Sequence, residues 1–158
     1  MLKTIEADIL TNETGNIVQQ VNCFGVMRSG IAKTIKEKYP FVEKEYLAYC
    51  AGKNPLDLLG EVLRVSVNPN LNILNVFGQY TYGVYPHHYR HTEYAALKQA
   101  FQKIVDGTFL ASNNVLYFPH RFGSDRGGGD WVVVQALIER YFPHAIIYKL
   151  PTCTTPTV

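Results

Sequence analysis

Two glycine-bearing loops, far apart in the chain, each fall between a strand-like run and a helix-like run. The first is Val21-Asn22-Cys23-Phe24-Gly25-Val26-Met27-Arg28-Ser29-Gly30-Ile31-Ala32, and the second is Phe118-Pro119-His120-Arg121-Phe122-Gly123-Ser124-Asp125-Arg126-Gly127-Gly128-Gly129-Asp130-Trp131. Glycine lets a backbone pass through positive φ and come close to a ligand. A helix that starts directly after such a loop presents unpaired N–H groups and the positive end of its dipole. Two such units in one small chain point to an α/β fold and to a clamp for a ligand with two phosphates.

The rest of the chain reads consistently with this frame. Residues 2–7 and 17–21 read as strands on either side of the turn-rich stretch 11–16. Residues 30–38 read as a helix with Ile31 and Ile35 at i, i+4, ended by Pro40. A second helix is expected over 41–51, closed by Gly52. Strands are expected over 60–65 and 72–77, joined by the Asn68-Pro69-Asn70 turn. Tyr94, Leu97, Phe101 and Ile104 recur at helical spacing, which predicts a helix over 92–105 with Thr92 as its cap. A buried strand at 114–118, a helix from the Asp130 cap to about Phe142, and a last strand at 145–150 follow. Strands alternating with helices predict a three-layer α/β/α arrangement with a mixed central sheet. One domain over residues 1–150 and a loose Thr- and Pro-rich tail over 151–158 are expected.

Composition removes several classes of function. A net charge of +2 with no basic run gives no electrostatic footprint for nucleic acid. Cys23, Cys50 and Cys153 are odd in number and widely spaced, so a reducing compartment is the simpler reading than a disulfide framework. The N-terminus lacks a signal-peptide pattern, and no segment approaches the ~20 apolar residues that span a bilayer. A soluble, cytoplasmic, monomeric protein without membrane association is expected.

The segment 79–91 holds four tyrosines and three histidines, and its length marks a functional loop. His87, His88 and His91 have only Glu93 nearby and match no zinc spacing, so no metal is expected. Their segment reads as a solvent-facing loop that lines or covers a ligand. Tyr80, Tyr82, Tyr85 and Tyr89 could stack on a base or simply be partly buried. His120 could act as an acid or base, or be a packed, hydrogen-bonded histidine. Cys23, with no histidine near it in sequence, reads as a small buried residue. Asp130 reads first as a helix cap.

Four stretches, taken in order, carry a resemblance. They are Ala7-Asp8-Ile9-Leu10; Val21 through Ala32 with Lys38-Tyr39-Pro40; Asn75-Val76-Phe77-Gly78-Gln79 with Tyr82-Gly83, Arg90, Thr92 and Tyr94; and Gly127-Gly128-Gly129-Asp130-Trp131. The chain resembles the macro domain family, the ADP-ribose-binding fold. It is most similar to the compact macro domains of bacteriophages and bacteria often labelled ADP-ribose-1''-phosphate processing proteins. The resemblance implies that Asp8 and the Ile9 backbone hold the adenine and that Asn22 holds the distal ribose hydroxyls. Gly25, Val26, Met27, Arg28, Ser29, Gly30, Ile31 and Ala32 would then wrap the distal ribose and one phosphate. Gly123, Ser124, Asp125, Arg126, Gly127, Gly128 and Gly129 would cradle the diphosphate, and Trp131 would anchor the last helix in the core.

The chain also departs from the family. Gly123-Ser124-Asp125 stands where relatives tend to have Gly-Cys-Gly, and an acidic side chain there repels a phosphate unless it points away or pairs with Arg121 or Arg126. Arg28 replaces a small residue and could contact a phosphate. Gln79, itself expected among the ligand-binding residues, stands in place of the lysine of one esterase-like branch, and Gln19 in place of a histidine of some phosphatases. The implied function is a hydrolase for the terminal phosphate of ADP-ribose-1''-phosphate or for an ADP-ribosyl group on a carboxylate. Asn22, Asp125 and His120 are the candidates for steering the attacking water, with no cofactor. The alternatives are a non-catalytic binder or sequestering protein for ADP-ribose or another NAD-derived nucleotide, and an esterase for O-acetyl-ADP-ribose.

Overall fold

The computed structural model describes residues 1–28, 30–83, 90–111 and 113–152. Ser29, Tyr85, His87, His88, Tyr89, Cys153 and most of the expected tail lie outside these residues.

Six strands form one sheet: β1 (Lys3–Glu6), β2 (Gly15–Asn22), β3 (Val62–Asn68), β4 (Leu71–Gln79), β5 (Leu116–Pro119) and β6 (Ile146–Lys149). Their order is β1-β6-β5-β2-β4-β3. Only β3 runs antiparallel to its neighbour, joined to β4 through the turn at 69–70 that the Asn-Pro-Asn sequence predicts. The helices are α1 (Gly30–Lys38), α2 (Pro40–Cys50), α3 (Pro55–Leu58), α4 (Tyr94–Asp106) and α5 (Trp131–Tyr141). The expected α/β sheet with helices on both faces is what the chain forms.

Period-two alternation sorts the strand residues between two cores. On one face Val18, Leu74, Val76 and Phe118 meet Leu97, Phe101 and Ile104 of α4 and Val134 and Ile138 of α5. On the other, Ile17, Val21, Val65, Ile73 and Phe77 meet Ile35 of α1, Val42 and Tyr46 of α2 and Leu58. β2 and β4 are central and buried on both faces, and among their apolar residues they bury amide side chains, Asn16, Gln19 and Asn22 on β2 and Asn72 and Asn75 on β4.

Helix α4 is a correction to the expected cap. Glu93, not Thr92, sits at its N-cap and makes no side-chain capping bond. Such a cap contributes ~1 kcal/mol, whereas burying Leu97, Phe101 and Ile104 contributes roughly 1.5–3 kcal/mol each, so the packed face decides the helix. Asp130 does cap α5, accepting from the Val132 N–H at 2.9 Å. Trp131 is half-buried and packs against the α4/α5 core. Helix α3 was not expected; its Asn54 cap and Pro55 start are orthodox, but one turn is too short to show periodicity.

The topology fixes where a site can form. From β2 the chain leaves through α1 on one face, whereas from β5 it leaves through α5 on the other. Neighbouring parallel strands whose connections diverge open a crevice at their C-terminal ends. Both glycine loops start there. Among the described residues no helix is long and apolar enough to cross a membrane.

Candidate functional site

A cavity of about 890 Å³ opens at the C-terminal ends of the parallel strands. Its wall includes Ala7, Asp8 and Ile9 after β1, Gln20 to Asn22 of β2, Gln79 of β4, Pro119 at the end of β5 with His120 to Gly123 after it, and Tyr148 to Leu150 at the end of β6. Of the residues expected to bind a ligand, Asp8, Ile9, Asn22, Val26, Arg28, Gly30, Ile31, Ala32, Gln79, Gly123, Asp125, Arg126 and Gly127 line it, as does His120. Gly25, Met27, Ser124, Gly128 and Gly129 are not on its wall: Met27 is buried in the core beside α1 and α2, and the Ser124 hydroxyl turns inward to the Phe122 carbonyl.

The first loop is folded by Asn22. Its Oδ1 accepts from Phe24 N (3.0 Å), from Val26 N (3.4 Å) and lies 3.0 Å from the Tyr46 hydroxyl, while Nδ2 donates to Val26 O at 2.8 Å. The Tyr46 hydroxyl also lies 2.5 Å from the Asn22 carbonyl oxygen and accepts from Gly25 N at 3.2 Å. Tyr46 is fully buried, and burial holds its phenol well above the ordinary tyrosine range, so it stays protonated. Gly25 and Gly30 take φ of +77° and +60°, conformations that cost an L side chain roughly 1–2 kcal/mol. The loop delivers the start of α1, whose residues 30–32 line the cavity. A helix start offers N–H groups and partial positive charge to an anion.

The second loop is built differently. Gly123 O accepts from Gly129 N (2.9 Å) and from the Thr92 hydroxyl (2.6 Å), and Gly127 O accepts from His91 N and Thr92 N (2.9 Å each). Among the described residues, none accepts from the backbone N–H of Gly123, Asp125, Arg126 or Gly127, and all four residues line the cavity. Free N–H groups gathered in a loop form an anion-binding concavity. Gly127 must be glycine, because a Cβ there would lie 2.4 Å from Thr92 Oγ1.

Charge around the cavity is mixed but favours anions. The Asp125 carboxylate is held by Arg121 Nε at 2.7 Å, one of the two arrangements under which an acid can stand in such a loop. Arg121 adopts φ of +64°, an uncommon conformation for a residue with a side chain. Arg28 and Arg126 are exposed and have no partner among the described residues. Burial first, then the positive charges of Lys149 and Arg121, hold His120 below the ordinary histidine range against an upward pull from Asp125. Its ring packs edge-on to Trp131. Asp8 accepts from Leu10 N at 2.9 Å and caps the 3₁₀ turn Ile9–Thr11.

Several residues read from the sequence stand elsewhere. Gln19 is buried against Asn75 and away from the cavity. His91 is buried, with Nε2 2.8 Å from Gly83 O, so it is not part of a solvent-facing loop. Tyr82 is on the cavity wall and Tyr80 packs edge-on to Phe24. Cys23 is buried, which pushes its thiol up to about 12, as suits a packing residue rather than a nucleophile. No cluster of three metal-binding side chains occurs among the described residues. The sequence reading missed Gln20, Arg121, Tyr148, Lys149 and Leu150 as lining residues; their position at the ends of parallel strands was the available signal.

No protein-family model matches the chain, and no curated protein matches it. Solved structures do. A Bacteroides thetaiotaomicron protein of unknown function superposes with a TM-score of 0.82 at 20% identity, over 95% of this chain and 98% of that one. A macrodomain protein from Streptomyces coelicolor gives 0.72 at 19% identity, over 94% and 98%. Thermosipho africanus DarTG gives 0.71 at 18% identity, over 98% of this chain and 42% of that one. With its sheet order, its two helical layers and these neighbours, the chain has the macrodomain fold.

Proposed function

We propose that this protein binds ADP-ribose, or a derivative carrying a group on the distal ribose, and hydrolyses the bond to that group. The observation that carries the reading is the second loop: four residues on the cavity wall whose backbone N–H groups have no acceptor among the described residues, on a crevice that also holds the start of α1. Two anion-binding elements on one crevice suit a diphosphate. A cavity of about 890 Å³ also suits a nucleotide-sized ligand. The neighbours support the class, since Thermosipho africanus DarTG is seen with ADP-ribose and the Oceanobacillus iheyensis macrodomain with ADP.

In this reading Asp8 and Ile9 receive the adenine, and residues 123–127 receive the diphosphate. Asn22 and the start of α1 receive the distal ribose. With ADP-ribose-1''-phosphate, water attacks the phosphorus, the P–O bond to the ribose breaks, the ribose oxygen takes up a proton, and ADP-ribose and inorganic phosphate leave. His120 is the group suited to accept the water's proton, because its lowered pKa keeps the imidazole neutral.

The second reading is a binder without turnover. The side chains of Asn22 and Asp125, two of the three candidates for steering water, are already engaged by the first loop and by Arg121. Phosphorus NMR of ADP-ribose-1''-phosphate with catalytic protein separates the two: inorganic phosphate growing with time supports the hydrolase. Shifted diphosphate resonances without new phosphate support the binder or a hydrolase for another ADP-ribosyl bond. Unshifted resonances at stoichiometric protein refute ADP-ribose recognition altogether.

A further inference from the structure

Thr92 is wholly buried and is not on the cavity wall, yet it touches both arms of the second loop. Its hydroxyl has one proton, and Gly123 O, which can only accept, takes it at 2.6 Å. Its lone pairs receive Gln20 Nε2 at 2.8 Å, and the other hydrogen of that amide goes to Gln79 Oε1 at 2.7 Å. Gln79 Nε2 in turn donates to Thr81 O at 2.7 Å. The direction of every bond in this chain is therefore fixed by chemistry. The Thr92 backbone N–H adds a bond to Gly127 O.

The consequence is electrostatic. A carbonyl oxygen turned into an anion site opposes the ligand, where an N–H favours it. Thr92 draws two of the loop's carbonyls to its inner side, which leaves the N–H groups of Gly123, Asp125, Arg126 and Gly127 as what the loop offers the crevice. The fit is close: a Cβ on Gly127 would meet Thr92 Oγ1 at 2.4 Å, and one on Gly129 would meet Thr92 Cβ at 3.4 Å.

We propose that Thr92 is the positioning residue of the anion loop, and that Gln20 and Gln79 orient it. The consequence for affinity rests on the ADP-ribose reading above; the consequence for loop geometry does not. The test uses the whole chain and two readouts, the backbone amide resonances of Gly123, Asp125, Arg126 and Gly127 without ligand, and the affinity for ADP-ribose by titration calorimetry.

Thr92→Val keeps the shape and removes the hydroxyl. It is expected to shift those amide resonances and lower affinity about tenfold, while Thr92→Ser restores both. Wild-type resonances and affinity in a folded Thr92→Val protein overturn the proposal, as does a Thr92→Ser variant as impaired as Thr92→Val. Should Thr92→Val not fold, Gln20→Met removes the bond that Thr92 accepts, along with the one to Gln79, keeps the Thr92 hydroxyl on Gly123 O, and is expected to shift the same resonances less; unshifted resonances there overturn it equally. If the wild-type protein does not bind ADP-ribose, the functional reading fails and the resonances alone decide the role of Thr92.

Discussion

The two loops reach one cavity by opposite means. The first is shaped from within: Asn22 bonds residues two and four positions on, and one buried hydroxyl from α2 completes it. The second is shaped from beneath by groups distant in sequence, with Thr92 31 residues from Gly123 and Gln20 72 residues from Thr92. A loop that folds on its own side chains spends their hydrogen-bonding capacity on itself and presents the helix that follows. A loop held by its carbonyls keeps its N–H groups free. The first therefore offers a dipole and the second offers donors, and damage to the second loop can begin far from it.

Glycine substitutions test this contrast most severely. Gly127→Ala brings a Cβ to 2.4 Å from Thr92 Oγ1, 2.7 Å from Gly123 O and 2.9 Å from Gln20 Nε2. None of these atoms can move without breaking the network. Overpacking of this kind costs roughly 1–3 kcal/mol, to be read from urea unfolding, and a loss of ADP-ribose affinity of about 100-fold is expected with it. Gly25→Ala in the first loop meets only Leu47 Cδ2 at 3.0 Å, a side-chain tip that can swing, and bears mainly the penalty of φ +77°, about 1 kcal/mol. A Gly25→Ala protein that proves the more damaged of the two would reverse the comparison.

Tyr46→Phe comes next. It strips the first loop of the hydroxyl that α2 supplies and leaves Gly25 N–H and the Asn22 carbonyl short of a partner. A loss of about 1–2 kcal/mol is expected in denaturant unfolding, with the resonances of the second loop unmoved. Shifts in residues 123–127 instead would mean that the loops are not independently held.

That division also explains what the sequence disclosed. The frame was legible because its signals are local: Ile31 and Ile35, the Asp130 cap, the apolar run of β4 and the Asn-Pro-Asn turn each act within a few residues. The glycine positions of both loops were legible for the same reason. Thr92 was misread because a threonine just before an amphipathic helix satisfies the local rule for a cap, while its actual partners, Gly123 and Gln20, are brought to it only by the sheet. Tyr46, on a helix of no clear amphipathic pattern, gave no sign that its hydroxyl would meet Asn22. Asp125 was recognised as a misfit in a phosphate loop, and Arg121 resolves it.

His120 carries a pH prediction with a smaller amplitude. Its folded-state pKa is depressed, chiefly by burial and then by Lys149 and Arg121. The unfolded chain therefore binds the proton more readily, and the stabilisation by neutral His120 is complete above the unfolded value and lost as pH falls through the folded one. Unfolding stability should decline in that acid window and the decline should flatten in His120→Gln. If phosphate release occurs and His120 is its base, the rate should fall in the same window. A rate that ignores both pH and His120→Gln would leave water activation to other groups.

Asp125→Asn is the mildest change and the one that most sharpens the functional question. Asp125 is 70% exposed, so loss of its pair with Arg121 should alter stability by less than ~1 kcal/mol. Removing a negative charge from the anion loop and releasing the Arg121 guanidinium should raise ADP-ribose affinity by about two- to fivefold at low salt, and less at physiological ionic strength. Titration calorimetry at the two salt concentrations measures both. A binder predicts only this gain. A hydrolase in which Asp125 steers the water predicts tighter binding together with slower phosphate release, because the same carboxylate that opposes the bound diphosphate would then be needed to orient the attacking oxygen. An affinity that falls in Asp125→Asn would show instead that the Arg121–Asp125 pair holds the loop in shape, and would move Asp125 from the chemistry to the scaffold.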